Sequence, residues 1–182
     1  MKSEINYIAT RLSLTHQPAF QQMLADYDAH DPENGKFYER GREDFPAYVQ
    51  RLADDEEGLN LPPGAVPCSH RWLLDASGAI VGGVRVRHNI GTRFLAEEIG
   101  HIGYDVPPSF RGKGYGIACL KTGLEVACTR NLERVLVCAD TDNPASWRTI
   151  EHCGGILEVE RYSPHYKKPF RRYWIETRAV FS

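Results

Sequence analysis

A glycine-rich stretch between a predicted strand and a predicted helix constrains this chain more than any other feature. Residues 101–106 carry β-forming side chains and end at Pro107-Pro108, which cannot continue a strand ladder. Next comes the loop Arg111-Gly112-Lys113-Gly114-Tyr115-Gly116. Apolar residues then recur at spacings of three and four, as an amphipathic helix requires: Ile117, Leu120, Leu124 and Ala127. A glycine-rich loop at a helix start exposes unpaired backbone N–H groups and the positive end of the helix dipole, so this loop is predicted to bind a pyrophosphate.

Three phosphate-binding patterns compete for this loop. A P-loop needs a Ser or Thr at a set spacing after its lysine, and none follows Lys113 there. The dinucleotide-binding pattern GxGxxG fails where Ile117 replaces its last glycine, and Asp140 is too far along the chain for the usual ribose contact. The pattern [R/Q]xxGx[G/A] is met by Arg111, Gly114 and Gly116. In this respect the loop resembles the coenzyme A pyrophosphate loop of the GNAT superfamily of N-acetyltransferases.

Composition excludes several classes of protein. The chain has 182 residues, of which 42% are hydrophobic and 25% charged, so disorder is not expected. A single domain over residues 1–182 is predicted. The net charge of -2 provides no positive field to attract nucleic acid. No apolar run is long enough to span a membrane, so neither nucleic acid nor membrane is an expected partner. The N-terminal residues lack the apolar core of a signal peptide, and the scattered cysteines have neither disulfide nor metal-site spacing. A cytoplasmic protein without a metal is therefore predicted.

The remaining segments predict strands and helices in a definite order. The predicted strands are Ile5–Leu12, Arg71–Asp75, Ile80–Arg87, Glu97–Val106, Val135–Ala139, Ile156–Tyr162 and Arg172–Thr177. The predicted helices are Thr15–Ala29, one capped by Asp44, one that follows the glycine-rich loop, and one capped by Asn143. The acidic run at residues 54–57 is predicted to be a solvated face at the end of the second helix.

This order is similar to the GNAT topology across nearly the whole chain. The resemblance implies an α/β (α+β) fold with a mixed, mostly antiparallel sheet of about six to seven strands and helices on both faces. It also implies a V-shaped splay between strands 4 and 5 that admits the pantetheine of acetyl-CoA, the expected co-substrate. A bulge at Gly103 is expected beside this splay.

The resemblance assigns cofactor contacts to two groups of residues. Backbone groups of Tyr104, Asp105 and Val106, together with Asn143, are expected to contact pantetheine. The pyrophosphate is expected on Arg111, Gly112, Lys113, Gly114, Tyr115 and Gly116.

A general base is expected on the fourth strand, because an amine acceptor binds mostly as the ammonium ion. The candidates on this strand are Glu98, placed on the same strand face as Gly100, and His101, and a third candidate, His88, lies on the loop before it. Many relatives carry a tyrosine seven residues after the cap asparagine as the acid for the thiolate, but Ile150 stands there in this chain. Ser146 is the remaining candidate near the sulfur.

The expected activity is acetyl transfer to a primary amine on a small molecule or peptide, by a monomer or homodimer. One alternative is a non-catalytic acyl-CoA-binding regulatory module, which the absence of the usual tyrosine favours. A dinucleotide-binding oxidoreductase is a more distant alternative.

Overall fold

The computed structural model describes residues 5–178, which form one seven-stranded sheet with helices on both faces. The strands are β1 (Ile8–Thr10), β2 (Cys68–Leu74), β3 (Ile80–Arg87), β4 (Ile102–Asp105), β5 (Arg134–Asp140), β6 (Ile156–Ser163) and β7 (Lys168–Glu176). Their order across the sheet is β1-β2-β3-β4-β5-β7-β6. The β4–β5 pair is parallel and the other pairs are antiparallel. This confirms the predicted fold class.

The helices are α1 (Gln17–His30), α2 (Pro32–Gly35), α3 (Glu39–Glu43), α4 (Phe45–Glu57), α5 (Tyr115–Thr129) and α6 (Pro144–His152). Short 3-10 helices lie at Leu14–His16, Lys36–Tyr38 and Pro108–Phe110, and a π-helical turn lies at Leu95–Ile99. The predicted caps are confirmed, since Asp44 accepts from the Ala47 N–H and Asn143 from the Ser146 N–H. The short helix α2 follows α1 directly and is capped by Asp31, whose side chain accepts from the Asn34 N–H.

Two apolar clusters cover the two faces of the sheet. One packs α5 and α6 against the sheet, and its buried members include Leu120, Leu124, Val137 and Ile150. The other packs α1 and α4 against β2, around Phe20 and Trp72. The aromatic residues Tyr38 and Phe45 are 2% and 4% exposed, so they belong to this second core.

The acidic run does not form the predicted solvated face. Glu56 is buried, and it accepts hydrogen bonds from Ser69, Arg71 and Arg130 at 2.8–3.0 Å. Arg11 forms a further ion pair with it at 3.0 Å. Its partners come from distant segments of the chain, which local patterning does not reveal. Glu56 therefore ties α4 to β2 and to the end of α5.

Two kinds of feature are absent from residues 5–178. No helix there is both long and apolar enough to cross a membrane. No group of three or more His, Cys, Asp or Glu side chains there is arranged so that it could bind a metal ion.

Candidate functional site

The loop at residues 111–116, called the cradle loop below, opens α5 as predicted. Gly112 and Gly114 have φ values of +73° and +90°, a left-handed conformation that glycine adopts without strain. No hydrogen bond from the backbone N–H groups of residues 112–116 is present in the described part of the chain. These donors at the N-terminus of a 15-residue helix form a site suited to a pyrophosphate.

The two cations of the cradle loop hold the loop in place. Arg111 donates to the Val106 carbonyl at 3.0 Å and pairs with Asp31 at 2.6 Å, while Lys113 donates to the Ser109 carbonyl at 2.8 Å. Hydrogen bonds from Asn34 and Arg111 hold the pKa of Asp31 below its ordinary value, although burial opposes them. The backbone of the loop is thus left as the part available to phosphate.

β4 and β5 separate after a single pair of residues. β4 pairs with β3 along its whole length, from Ile102 to Asp105, but with β5 only through Ile102 and Val137. Residues 103–105 therefore present a free edge toward β5, and the gap beyond Ile102 is called the slot below. The slot confirms the predicted splay. The predicted bulge at Gly103 is wrong, because the β3–β4 register is continuous there.

The backbone is irregular just before β4, in a segment that was predicted to be part of the strand. Residues 95–99 form a π-helical turn, so Glu98 and Gly100 do not share a strand face as predicted. Gly100 has φ +80°, and a Cβ atom there would lie 2.4 Å from the Leu136 carbonyl oxygen. Arg172 of β7 donates to the Ala96 carbonyl at 2.7 Å and also to that of Glu97. Close backbone packing and a distant arginine thus override the local strand pattern.

Glu98 lies on this π-helical turn beside the β6–β7 connection. Its side chain is half-buried, and its carboxylate accepts a short hydrogen bond from Ser163, which is 1% exposed. No Lys, Arg or His nitrogen of the described chain lies within 4 Å of it. Glu98 thus has no neutralising partner among residues 5–178, and it lies two residues before Gly100, which bridges to Val137 at the closed end of the slot.

His101 bridges β4 and β5 as part of the core. The ring Nδ1 of His101 accepts the Leu136 backbone N–H at 3.0 Å, and the backbone N–H of His101 donates to the Leu136 carbonyl at 2.7 Å. Burial, and then the charge of Arg87, lower the pKa of His101 to about 4. The ring is therefore neutral at pH 7, with its proton on Nε2.

Hydroxyl groups gather at the start of α6, beside the mouth of the slot. The Tyr104 hydroxyl donates to the Ser146 carbonyl at 3.2 Å and lies 3.3 Å from Ser146 Oγ. A Cβ atom on Gly116 would lie 3.6 Å from Thr149 Oγ1 and 3.8 Å from the Tyr104 ring, so the cradle loop adjoins this cluster. Burial raises the pKa of Tyr104 to about 12. Ile150 is fully buried in the α5–α6 core.

Sequence reasoning missed the side chain of Tyr104, for which only backbone contacts were expected. Strand alternation could have indicated it, because Ile102 and Tyr104 share the α5 face of β4. Asp105 points to the opposite face, where it accepts hydrogen bonds from Tyr27 at 2.8 Å, from Tyr38, and from Arg85 at 2.9 Å.

Known structures share this fold at low sequence identity. A ribosomal-protein-S5-alanine acetyltransferase from Vibrio fischeri superposes with a TM-score of 0.66 at 16% identity, covering 96% of this chain and 95% of that one. A spermidine N-acetyltransferase from Vibrio cholerae in complex with CoA and spermine gives 0.64 at 15%, covering 97% and 98%. A probable acetyltransferase gives 0.66 at 19%, covering 98% and 97%.

Sequence comparison gives a family but no individual relative. A search of curated proteins found no significant match. The sequence profile of the acetyltransferase (GNAT) family matches residues 23–154, which include the slot, the cradle loop and the start of α6. The chain therefore belongs to the acetyltransferase (GNAT) family and is an N-acetyltransferase.

Proposed function

We propose that this protein binds acetyl-CoA along the cradle loop and the slot and transfers the acetyl group directly to a primary amine. One observation carries the proposal: the backbone N–H groups of residues 112–116 donate no hydrogen bond within the described part of the chain, and the loop that holds them adjoins the slot. Family membership and the CoA bound by the Vibrio cholerae enzyme of the same fold support it.

In this proposal the backbone holds the donor. The pyrophosphate accepts hydrogen bonds from residues 112–116, and the helix dipole of α5 favours its charge. Pantetheine lies in the slot against the free edge at residues 103–105. The Arg87 N–H donates to the His101 carbonyl, so the backbone groups of alternate residues of β4, including Gly103 and Asp105, point to β3. Because the Val106 carbonyl accepts from Arg111, the carbonyl left for pantetheine on this strand is that of Tyr104.

Glu98 acts as the general base in this proposal. An amine with an ordinary pKa near 10.4 arrives as ammonium, and Glu98 removes a proton so that the nitrogen lone pair can attack the thioester carbonyl carbon. The C–N bond forms, the C–S bond breaks, and the electron pair leaves on sulfur, while the second proton of the nitrogen passes to the thiolate or to solvent. His101 is the weaker candidate, because Nδ1 is occupied and the lowered pKa makes the ring a poor base at pH 7.

Ser146 and Tyr104 stabilise the leaving thiolate in this proposal. Both hydroxyls lie at the mouth of the slot, 3.3 Å apart, and each can donate a hydrogen bond to sulfur. A raised phenol pKa makes Tyr104 a poor proton donor, but a CoA thiol with an ordinary pKa of about 8.5 needs little help to leave as thiolate. Hydrogen bonding without full proton transfer is thus sufficient.

A non-catalytic acyl-CoA-binding module remains the second candidate. The observation that favours it is the burial of Ile150, which leaves no acid at the position where many relatives place a tyrosine. Thiol release from acetyl-CoA, measured with a panel of primary amines, separates the two functions. Release above background hydrolysis with any amine excludes the module, whereas tight binding without release supports it.

Gly114→Asp tests the cradle loop. The added carboxylate meets the pyrophosphate, at a position with φ +90° where a Cβ atom would also lie 2.6 Å from Ile5, so calorimetry should show no acetyl-CoA binding. Gly64→Asp is the matched control, because Gly64 has φ +79° and nothing within 4 Å of an added Cβ. If a folded Gly114→Asp protein keeps its affinity within about threefold, the phosphates bind elsewhere.

A further inference from the structure

The face of the sheet opposite α5 carries two neighbouring arginines of β3. Val84 and Val86 pack in the α5 cluster, so Arg85 and Arg87 point to the other face by strand alternation. This surface is called the arginine face below. In the proposed function the donor enters from the α5 side, since the cradle loop begins α5. The amine must then reach the thioester from the arginine face.

The arginines of this face differ in how their charge is balanced. Arg85 pairs with Asp105 at 2.9 Å, and Arg172 pairs with Glu158 at 2.7 Å. Arg87 is half-buried and has no carboxylate within 4 Å among residues 5–178. Its side-chain hydrogen bond there goes to the Gly100 carbonyl, at a long 3.3 Å. Arg87 therefore contributes a positive charge that these residues do not neutralise.

Arg87 lies at the closed end of the slot. Its hydrogen-bond partner Gly100 forms a bridge with Val137, and Val137 also pairs with Ile102, the last residue before the strands separate. The effect of Arg87 on the pKa of His101 agrees with this position. An acceptor that reaches a thioester in the slot would thus pass beside the Arg87 guanidinium.

Glu98 supplies the opposite charge on the same side of the slot. Glu98 precedes Gly100 by two residues, and the Gly100 carbonyl accepts from Arg87. The Glu98 carboxylate accepts from Ser163 of β6, which in turn accepts the Tyr166 N–H at 2.9 Å. Glu98 and Arg87 do not pair with each other, since no ion pair within 4 Å joins them.

Arg87 cannot become neutral by losing its proton, because the guanidinium stays protonated in proteins. A partly buried charge without a partner is costly, and the guanidinium is suited to bind a carboxylate or a phosphate through two parallel hydrogen bonds. Its position beside the proposed reaction site points to an anion that arrives with a ligand.

We propose that the acceptor is a small amine that also carries an anionic group, a carboxylate or a phosphonate, and that Arg87 binds this group while Glu98 receives the ammonium. The proposal rests on the proposed function and narrows its acceptor to zwitterionic amines. A polyamine, which has only positive charges, does not match this arrangement.

Matched acceptors test the proposal. Free amino acids are assayed against their own amides, aminomethylphosphonate against glycine, and spermidine alone, each with acetyl-CoA and detection of released thiol. Each reactive amino acid should have a kcat/KM at least about tenfold higher than its amide, since a charge-assisted hydrogen bond contributes on the order of 10- to 100-fold. The glycine and aminomethylphosphonate arms distinguish carboxylate from phosphonate recognition.

Variants assign the effect to Arg87. Arg87→Gln should lower kcat/KM for anionic acceptors by about 10- to 100-fold, mainly through KM, and should change it less than about threefold for amides. Arg87→Lys, which keeps the charge, should retain part of the preference. Arg93→Gln removes an arginine whose side chain is 87% exposed, and it should leave both acceptor classes unchanged.

A preference for amides or spermidine would overturn the proposal, as would an equal loss on amides and amino acids in Arg87→Gln. In either case acetyl transfer itself still supports the proposed function, so the two failures are distinguishable. If no tested amine reacts, the same amino acids are titrated calorimetrically into the CoA-saturated protein. Binding that Arg87→Gln removes supports the proposal, and absence of binding to the unmodified protein overturns it.

Discussion

Glu98 and His101 lie three residues apart, but the structure gives them opposite properties. Glu98 is half-buried with a single hydroxyl donor, whereas His101 is 6% exposed with Nδ1 bonded to the backbone of β5. A base needs both access to the acceptor and a free lone pair. On these grounds Glu98 is the better candidate, and His101 serves to join the two strands at the closed end of the slot.

Glu98→Gln keeps the shape of the side chain and removes the proton acceptor. It should lower kcat/KM by about 10² to 10⁴ near pH 7, and the loss should shrink as the pH rises and more amine arrives neutral. Glu97→Gln is the matched control, because Glu97 is its chain neighbour and pairs with the exposed Arg93. Steady-state kinetics over a range of pH measure both variants.

His101→Asn tests whether the histidine, rather than Glu98, is the general base. Asparagine can also accept the Leu136 N–H through its side-chain oxygen but cannot take up a proton. This variant should keep most of the activity if Glu98 is the base. If it loses activity with the pH dependence described above while Glu98→Gln remains active, the assignment is wrong and the histidine is the base.

At the scale of elements, the slot depends on how the chain enters β4. The π-helical turn at residues 95–99 ends at Gly100, where the backbone passes so close to Leu136 that no Cβ atom fits. Arg172 of β7 holds the carbonyls of this turn from the other side. This turn replaces the first half of the expected strand, so β4 begins late and pairs with β5 only once.

Gly100→Ala should therefore destabilise the protein more than a positive φ alone explains. Gly78 has φ +83°, and an added Cβ there meets nothing within 4 Å, so Gly78→Ala measures the cost of a positive φ, on the order of 1 kcal/mol. Gly100 combines φ +80° with ψ -170°, a region almost restricted to glycine, and its Cβ would also overlap a backbone carbonyl. Gly100→Ala should therefore cost about 2 kcal/mol more. Urea unfolding gives both values, and equal losses would contradict this account.

At the scale of the whole molecule, Glu56 joins segments that are far apart in sequence. Its carboxylate contacts Arg11 before α1, Arg71 on β2 and Arg130 at the end of α5. Burial by itself would raise the pKa of Glu56, but the hydrogen bonds from Arg71 and Arg11 outweigh it and lower the pKa well below the ordinary value of 4.5. The ionised carboxylate thus stabilises the folded state.

Glu56→Gln should lower the free energy of unfolding by about 3 kcal/mol at pH 7, because it leaves arginines without their counter-charge. Glu57→Gln, on the exposed side of the same helix end, should change it by less than about 0.5 kcal/mol. Because the folded-state pKa is lowered, the contribution of Glu56 is complete above pH 4.5 and is lost as the pH falls below it. Unfolding curves for the two variants should therefore converge in acid, and a constant difference down to pH 3 would contradict this account.

The sequence by itself determined the features that depend on neighbouring residues. The cradle loop, the helix after it, the caps Asp44 and Asn143, and the order of the main elements along the chain follow from local periodicity and turn chemistry, which act over a few residues. These features were sufficient to identify the family resemblance, and the resemblance in turn implied the splay of the sheet.

Only the tertiary structure decided the features that depend on contacts between distant segments. Glu98 lies on a turn rather than a strand because Gly100 packs against β5 and Arg172 reaches across from β7. Glu56 is buried because three arginines from other elements converge on it. Arg87 lacks a carboxylate partner among the described residues, whereas its neighbour on the same face, Arg85, has one. Charge balance and burial are set by which segments meet in space, and local sequence patterns carry no direct record of that.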